Sequence, residues 1–473
     1  MSDEELAGLS PREMVALVRQ LEARLRAVET ELAAAQARIA ELEAELARRG
    51  GPPQTPQNSA TPPSKGWKRE RPPAPEGAKR GPPFGHRGTS RRRAEPDWVV
   101  LCQPTHCGAC GQDLRAAPQE RVGTSQVVDL PPVRPVVLEA WRYAASCPAC
   151  GAMTTADYPT GCEPPRVFGP HLEALGTYLH EQQHVSYARL AAIGRDLWRL
   201  AVSQGALAHA LARVAQRLAP QAATIREQVR ASPVIGSDET SARVNGRTHW
   251  QWVFQTPTAS YHVIVPRRNG EVVQDFLGDA VPEAWVSDLW KPQLAARAQR
   301  HQICLGHQLR ELQYVVDKER SAWARECQAL FRLAIHRAHQ RDRGELWGAA
   351  YTAAVRKIEV ACDVLLATPV EGAEARRLWA RFREHRAALC VFLYDPAVPP
   401  TNNASEQALR HSVVHRKVTG GFRSDWGADA HAIVTTVLDT ARKRGENLLT
   451  TLHAALGAPV AIPPGLPFLS PGR

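Results

Sequence analysis

No stretch of this sequence approaches the roughly 18 consecutive apolar residues of a membrane span, so no membrane-crossing helix is expected. The opening Met1-Ser2-Asp3-Glu4-Glu5 is acidic and lacks the basic-then-apolar layout of a secretory signal, which leads us to expect a cytoplasmic chain. Cysteine is sparse, ten in 473 residues. Four of the ten form CxxC pairs, a pattern that in a chain without a signal points to metal rather than to a disulfide framework. Acid is also in short supply: 48 Asp and Glu face 59 Lys and Arg, and the net charge of +11 suits a polyanionic partner. What remains is ordinary for a folding chain, with 44% hydrophobic and 23% charged residues. At 473 residues it is too long for one core, so two or three folded domains with connectors are expected.

Residues 1–49 read as one helix. Met14, Val18, Leu21, Leu25, Val28, Leu32, Ala35, Ile39, Leu42 and Leu46 alternate steps of four and three, the period of a coiled-coil seam. The stripe suits a second copy of the helix or a surface of the same protein. Residues 50–98 then change character, because the stretch 51–100 carries eleven prolines and ten Lys and Arg against four acids. Proline removes backbone donors and little apolar surface is available, so a flexible basic linker is expected. Its Lys68-Arg69, Lys79-Arg80 and Arg91-Arg92-Arg93 runs fit either a solvated spacer or loose phosphate contacts.

A small β domain is expected over 99–165. Cys107-Gly-Ala-Cys110 and Cys147-Pro-Ala-Cys150 each present two thiolates from a tight turn, and together they make a closed tetrahedral site for structural Zn2+. Between them the runs Gln126–Val128 and Val136–Leu138, separated by Pro131-Pro132, suggest a hairpin that unites the two turns. Free thiols or a redox pair are the competing readings. Cys102 and Cys162 fall outside the spacing and read as ordinary residues.

The pattern over 166–231 is helical. Leu190, Ile193, Leu197 and Leu200 form one stripe and Leu207, Leu211, Val214 and Leu218 another, with Ser203 placed as an N-cap between them. Two short helices joined this way resemble a helix-turn-helix, and equally a plain helical hairpin.

Strand-like runs follow from 232 to 305, then helical sequence over 306–397, a further helix-forming segment over 398–445 and a C-terminal element over 446–473. Two apolar runs end in acids, Asp238 and Asp288. Glu406 lies at the start of a late helix, where Asn403-x-x-Glu406 also fits a capping box. Three carboxylates gathered in one cleft would repel, and divalent cations relieve that repulsion. Asp238 and Glu239 are strand neighbours pointing to opposite faces, so only one of them can join such a cluster. Arg410, one turn beyond Glu406, can pair with that acid or reach a phosphate, and Arg416, Lys417 and Arg423 form a basic approach. Cys304 and His307 have CxxH spacing but no second pair nearby in sequence. Trp285 and Trp290 flank Asp288 as core aromatics or as a surface for an unpaired base.

Asp238-Glu239-Thr240, Ser287-Asp288, Cys304-Leu-Gly-His307-x-x-Arg310, Asp395-Pro-x-x-Pro-x-x-Asn402-Asn403-x-x-Glu406-x-x-Leu409-Arg410 and Arg416-Lys417 ahead of Gly427-Ala428 resemble the insertion-sequence-66 family of DDE transposases. The likeness extends upstream through the paired CxxC and the Gln57-Asn58-Ser59 linker to the heptad helix. It implies a multidomain α+β protein: a coiled-coil helix, a zinc-binding β domain, a helical DNA-binding domain, and a ribonuclease-H-like α/β catalytic domain (232–305 and 398–445) with a large all-α insertion (306–397). It implies catalysis by Asp238, Asp288 and Glu406 with two Mg2+ ions, cutting double-stranded DNA at the ends of a mobile element and joining it to target DNA. It also implies a synapsed homo-oligomer on a bacterial nucleoid, with accessory proteins of the same element as candidate partners. A short Ser241-to-Arg247 connector is expected after the first acid. The competing functions are a ribonuclease-H-like nuclease that does not join strands, and a catalytically inactive DNA-binding regulator.

Overall fold

The structure, a computed structural model, describes residues 10–50, 86–88, 91–130, 135–159 and 162–457. Most of the basic linker, and 458–473 of the C-terminal element, lie outside the described residues. No described helix is long and apolar enough to cross a membrane. Two compact units are present. One gathers Ala140–Ala191 and the chain from Val202 onward, together with the N-terminal helix; the other holds Lys68–Glu139 and Ala192–Ala201.

Helix α1, Pro11–Gly50, is continuous, and Leu25, Val28, Leu32 and Ile39 along its seam are exposed. Strands β1 (Ala144–Ser146) and β2 (Met153–Thr155) form an antiparallel hairpin around the second CxxC. The runs 126–128 and 136–138 are not strands, contrary to expectation, and Val127, Val128, Val136 and Val137 are exposed. Strand propensity acts through packing against a neighbouring face, and these valines have none to bury against.

Helices α2 (Pro170–Glu181), α3 (Tyr187–Trp198) and α4 (Gln204–Arg230) follow. Ser203 Oγ accepts the Ala206 N–H at 3.1 Å and so caps α4. That helix runs for 27 residues, however, and is not a short one. Its apolar stripe continues past Pro220 through Ala222, Ile225 and Val229, all buried, so the packing holds the helix together well beyond the region first read as a turn pair.

Five strands make the central sheet: β3 (Val234–Val244), β4 (Arg247–Gln255), β5 (Ser260–Val265), β6 (Ala284–Ser287) and β7 (Arg300–Ile303), in the order β5-β4-β3-β6-β7. The β3/β4 and β4/β5 pairs are antiparallel, whereas β3/β6 and β6/β7 are parallel. Helix α5 (Gly270–Leu277) and the single turn α6 (Lys291–Leu294) lie between strands. Contrary to the sequence reading, β3 does not end at Asp238 and no connector spans 241–247. The strand runs on to Val244, and Asn245-Gly246 alone make the turn, both with positive φ (49° and 73°). Asn-Gly suits the type I′ geometry that matches strand twist, and Ala242 and Val244 alternate into a small core beyond it.

After β7 come α7 (Leu305–Glu319), α8 (Ala322–Asp342), α9 (Gly348–Ala367), α10 (Ala373–Glu384), the short α11 (Val391–Tyr394), α12 (Asn403–Thr419), α13 (Asp425–Lys443) and α14 (Leu448–Ala455). The sheet separates two cores. Ala284 and Val286 of β6 bury against Leu312, Phe331, Ile358 and Phe382 of the α7–α10 bundle. Trp285, between them, points the other way with Ile235, Trp252 and Phe254, against α4, α5 and α13. The period-two alternation of a doubly covered strand accounts for this division.

Helix α12 lies on the first of these faces, packing Ala408 and Leu409 on Val253. It comes so close that a Cβ at Gly236 would stand 2.4 Å from Gln255 Nε2 and 3.0 Å from Ser405 Oγ. Gln255 cannot simply swing aside, because Ser405 and Lys443 both hydrogen-bond it. Gly236→Ala should therefore destabilise the protein by about 1–3 kcal/mol, the usual range for overpacking, and displace the start of α12. Thermal unfolding checks this, and an unchanged midpoint would show that the helix does not need the glycine.

Candidate active site

Asp238 lies mid-strand in β3 on the α12 face, in register with Val253. Glu239 points to the opposite face, where Arg268 Nη2 (2.9 Å) and Gln293 Nε2 (2.8 Å) hold its carboxylate and leave it 2% exposed. Arg268 is itself clasped between the Trp250 and Trp290 rings, 4.1 and 4.3 Å from their centroids. Trp285 is fully buried, and Trp290 packs against Trp252, so both tryptophans beside Asp288 are structural. Asp288 follows the last residue of β6, parallel to β3, and its Oδ1 accepts the Trp290 N–H at 3.3 Å. Glu406 stands in the first turn of α12.

These acids share one electrostatic environment. Burial, then the charges of Glu239, Asp288 and Glu406, push the Asp238 carboxyl well above its ordinary value; only the Glu239 N–H opposes this. Asp288 is raised to about 6 by burial first and Glu239 second, with Glu406 adding to it and the Trp290 N–H and Arg268 working against it. Crowded acids without a counter-charge are costly to ionise.

Glu406 is held by a buried polar chain rather than by a capping box. Asn402, not Asn403, precedes the helix, and its side chain caps nothing. Instead Asn402 Nδ2 donates to the Ser237 carbonyl (2.8 Å), its Oδ1 accepts from Ser405 Oγ (2.6 Å), and its backbone N–H meets Cys304 Sγ (3.1 Å). Asn402 thus joins the start of α12 to the residue before Asp238 through its side-chain amide and to the N-terminus of α7 through its backbone N–H. Burial raises the Cys304 thiol, so it serves as a neutral acceptor here.

Sequence spacing underrated His307 and Arg310. His307 Nδ1 lies 3.7 Å and Arg310 Nη2 3.9 Å from Glu406 Oε1, and ligand atoms of Cys304, His307 and Glu406 all lie within 4.8 Å of one another. The partner missing from the CxxH reading comes from a distant helix, so only the fold reveals it. Burial, with Arg310 adding, pushes His307 down to about 4, leaving it neutral. Neither its Nδ1 nor Glu406 Oε1, both buried, has a hydrogen-bond partner among the described residues. Arg410 is exposed, and the basic groups beside Glu406 are His307 and Arg310 instead. Arg416 Nη1 donates to Ser241 Oγ at 2.9 Å, while Lys417 and Arg423 are exposed.

The two CxxC turns fall in different units, yet they repeat one geometry. Cys107 N–H donates to Gln112 O and Gly111 N–H to Cys107 O; Cys147 N–H donates to Ala152 O and Gly151 N–H to Cys147 O, all at 2.8–2.9 Å. Gly111 and Gly151 have positive φ, 75° and 73°. In each turn the backbone amides of the second cysteine and of the alanine before it lower the pKa of the first thiol. Each turn is thus prepared to present a thiolate, as a zinc knuckle requires.

The three acids offer the oxygen donors that a hard divalent cation takes, and Glu406 Oε1 has no hydrogen-bond partner among the described residues, but the three carboxylates do not form a group whose ligand atoms all lie within 4.8 Å of one another. The raised Asp288 carboxyl has a consequence for the metal-free protein. The unfolded chain loses this proton near the ordinary 3.8 and the folded one near 6, so the group costs stability as pH rises through that window and continues to do so above it. In magnesium-free buffer Asp288→Asn should gain about 1–3 kcal/mol at pH 8 and little at pH 4, read by thermal unfolding. An equal effect at both pH values would contradict the crowding.

Comparison with known proteins bears on the whole arrangement. The model of the Transposase IS66 family matches residues 166–430, more than half of the chain, and that of the zinc-finger binding domain of transposase IS66 matches 104–151. No curated protein matches it. The chain, with Asp238 on β3, Asp288 just after β6 and Glu406 on α12 inside the matched region, belongs to the IS66 family of transposases.

Proposed function

We propose that this transposase is a DDE enzyme with a ribonuclease-H-like core, cutting double-stranded DNA at the ends of an insertion sequence and joining it to target DNA, with Asp238, Asp288 and Glu406 as its catalytic acids. The observation that carries this reading is the elevation of both the Asp238 and Asp288 carboxyls by burial and then by the charge of Glu239, with Asp288 adding at Asp238 and Glu406 adding at both. Two Mg2+ ions held by these oxygens would polarise the attacking hydroxyl and stabilise the leaving oxygen of an in-line phosphodiester displacement. The first two acids sit on a sheet clamped between two cores and so form the rigid side of the cleft. Glu406 is set by the Asn402 seam, and the neutral His307 beside it leaves its carboxylate free to ligate. Arg310 stands where it can meet a phosphate. Arg410, Lys417 and Arg423, exposed along and after α12, approach the DNA backbone; Arg416 contributes from its seat on Ser241.

Cys107, Cys110, Cys147 and Cys150 hold a structural Zn2+ in the zinc-finger segment. The apolar seam of α1 associates with its counterpart in a homo-oligomer that brings two element ends together.

A cleavage and joining assay on DNA carrying the element ends tests the catalytic assignment. Asp238→Asn and Glu406→Gln should each reduce Mg2+-dependent cutting by about three orders of magnitude or more, several kcal/mol of charge stabilisation, with end binding unchanged. A variant that cuts normally removes its residue from the site, and cutting without joined products turns the reading to a nuclease. Chelating zinc should open residues 100–160 to protease and weaken end recognition, while unchanged digestion with full activity would count against the four-thiolate site.

A further inference from the structure

A second cluster of metal-binding side chains lies away from the carboxylates. Glu181 ends α2, His415 belongs to α12 and His431 to α13; each is 2% exposed. A carboxylate oxygen and one nitrogen from each ring lie within 4.8 Å of one another. We propose that Glu181, His415 and His431 bind a divalent transition metal, zinc by preference, distinct from both the cysteine turns and the carboxylate cluster.

Three observations support it. First, His415 Nδ1 is buried without a hydrogen-bond partner among the described residues, a cost of about 1–3 kcal/mol that a ligand would remove. Second, His431 already has the outer support of a metal-bound imidazole. Its Nδ1 faces Glu181 Oε2 at 2.5 Å, and its Nε2 lies 3.0 Å from Ser412 Oγ, which Gln251 Nε2 holds from behind at 2.9 Å. With Nδ1 on the metal, the ring takes the tautomer in which Nε2–H donates to Ser412, the arrangement that fixes ring orientation at such sites. Third, a fourth donor is at hand. His180 Nδ1 donates to the Val185 carbonyl at 2.8 Å, which leaves Nε2 as the ring atom turned to the cluster, 3.9 Å from Glu181 Oε1.

Donors about 2.1 Å from a tetrahedral ion stand about 3.4 Å apart, so binding would part Glu181 Oε2 and His431 Nδ1, now at 2.5 Å, by about an ångström. Imidazole with carboxylate suits zinc, whereas Mg2+ prefers oxygen alone. The burial of every donor makes the role structural. The ion would bind α12, which carries Glu406 at its other end, to α2 and α13.

Zinc is counted per chain by mass spectrometry on full-length protein equilibrated with zinc and then desalted. In Cys107→Ser/Cys147→Ser, which breaks both cysteine turns, about one equivalent should remain, and X-ray absorption at the zinc edge should show imidazole and oxygen neighbours without sulfur. Adding His415→Gln should remove that equivalent while helical circular dichroism is retained. The proposal is overturned if the cysteine variant holds no zinc, if its zinc has sulfur neighbours, or if His415→Gln keeps the same count. Should His415→Gln lose helix, the X-ray absorption of the cysteine variant decides the question. None of these readouts depends on DNA cleavage, so they stand or fall separately from the catalytic assignment.

Discussion

Everything at the carboxylate cluster depends on a backbone that cannot relax away from like charges. Asn402 is central to that rigidity. A helix held to a sheet only by apolar contact could slide by a fraction of a turn and let Glu406 retreat from the aspartates. The Asn402 amide spends its donor on Ser237 O and its acceptor on Ser405, so sliding would strand buried polar groups. Gly236 contributes by leaving no side chain to hold the helix off. Electrostatic repulsion is thereby stored in a fixed arrangement, ready for cations.

The opposite face of β3 solves the reverse problem. Glu239 is adjacent to Asp238, yet its carboxylate is held locally by Arg268 and Gln293. The Trp250 and Trp290 rings keep the Arg268 guanidinium in place, so its positive charge bears on Glu239 and, from a distance, on Asp288. Two neighbouring acids thus have different fates because the strand turns one toward a paired environment and the other toward an unpaired one.

How much of this was legible in the sequence depends on the range of the interaction. Local signals read well: Ser203 as a cap, the apolar run that ends at Asp288, the doubled CxxC turns and the split between Asp238 and Glu239. The Asn245-Gly246 turn was equally local and was passed over because Asp238 looked like a strand end. Long-range partnerships did not read. His307 and Arg310 gain meaning only when α12 arrives some hundred residues later, and the runs 126–128 and 136–138 read as strands because their valines favour strands whenever a face is available. Asn403-x-x-Glu406 has the spacing of a capping box, whereas the helix starts one residue earlier and the Asn402 side chain reaches across to another element. Motif spacing marked the right segments, and tertiary hydrogen bonding determined what each residue does.

The outer rim of the sheet also limits how copies of this protein can meet. β5 is an edge strand, but its Ser260 and His262 N–H groups donate to the Thr440 and Thr436 hydroxyls of α13, and Thr440 returns a bond to the Ser260 carbonyl. Those backbone groups are already taken, so this part of the β5 edge is closed to growth by a further strand, and a copy of the chain that approached it would meet it through side chains.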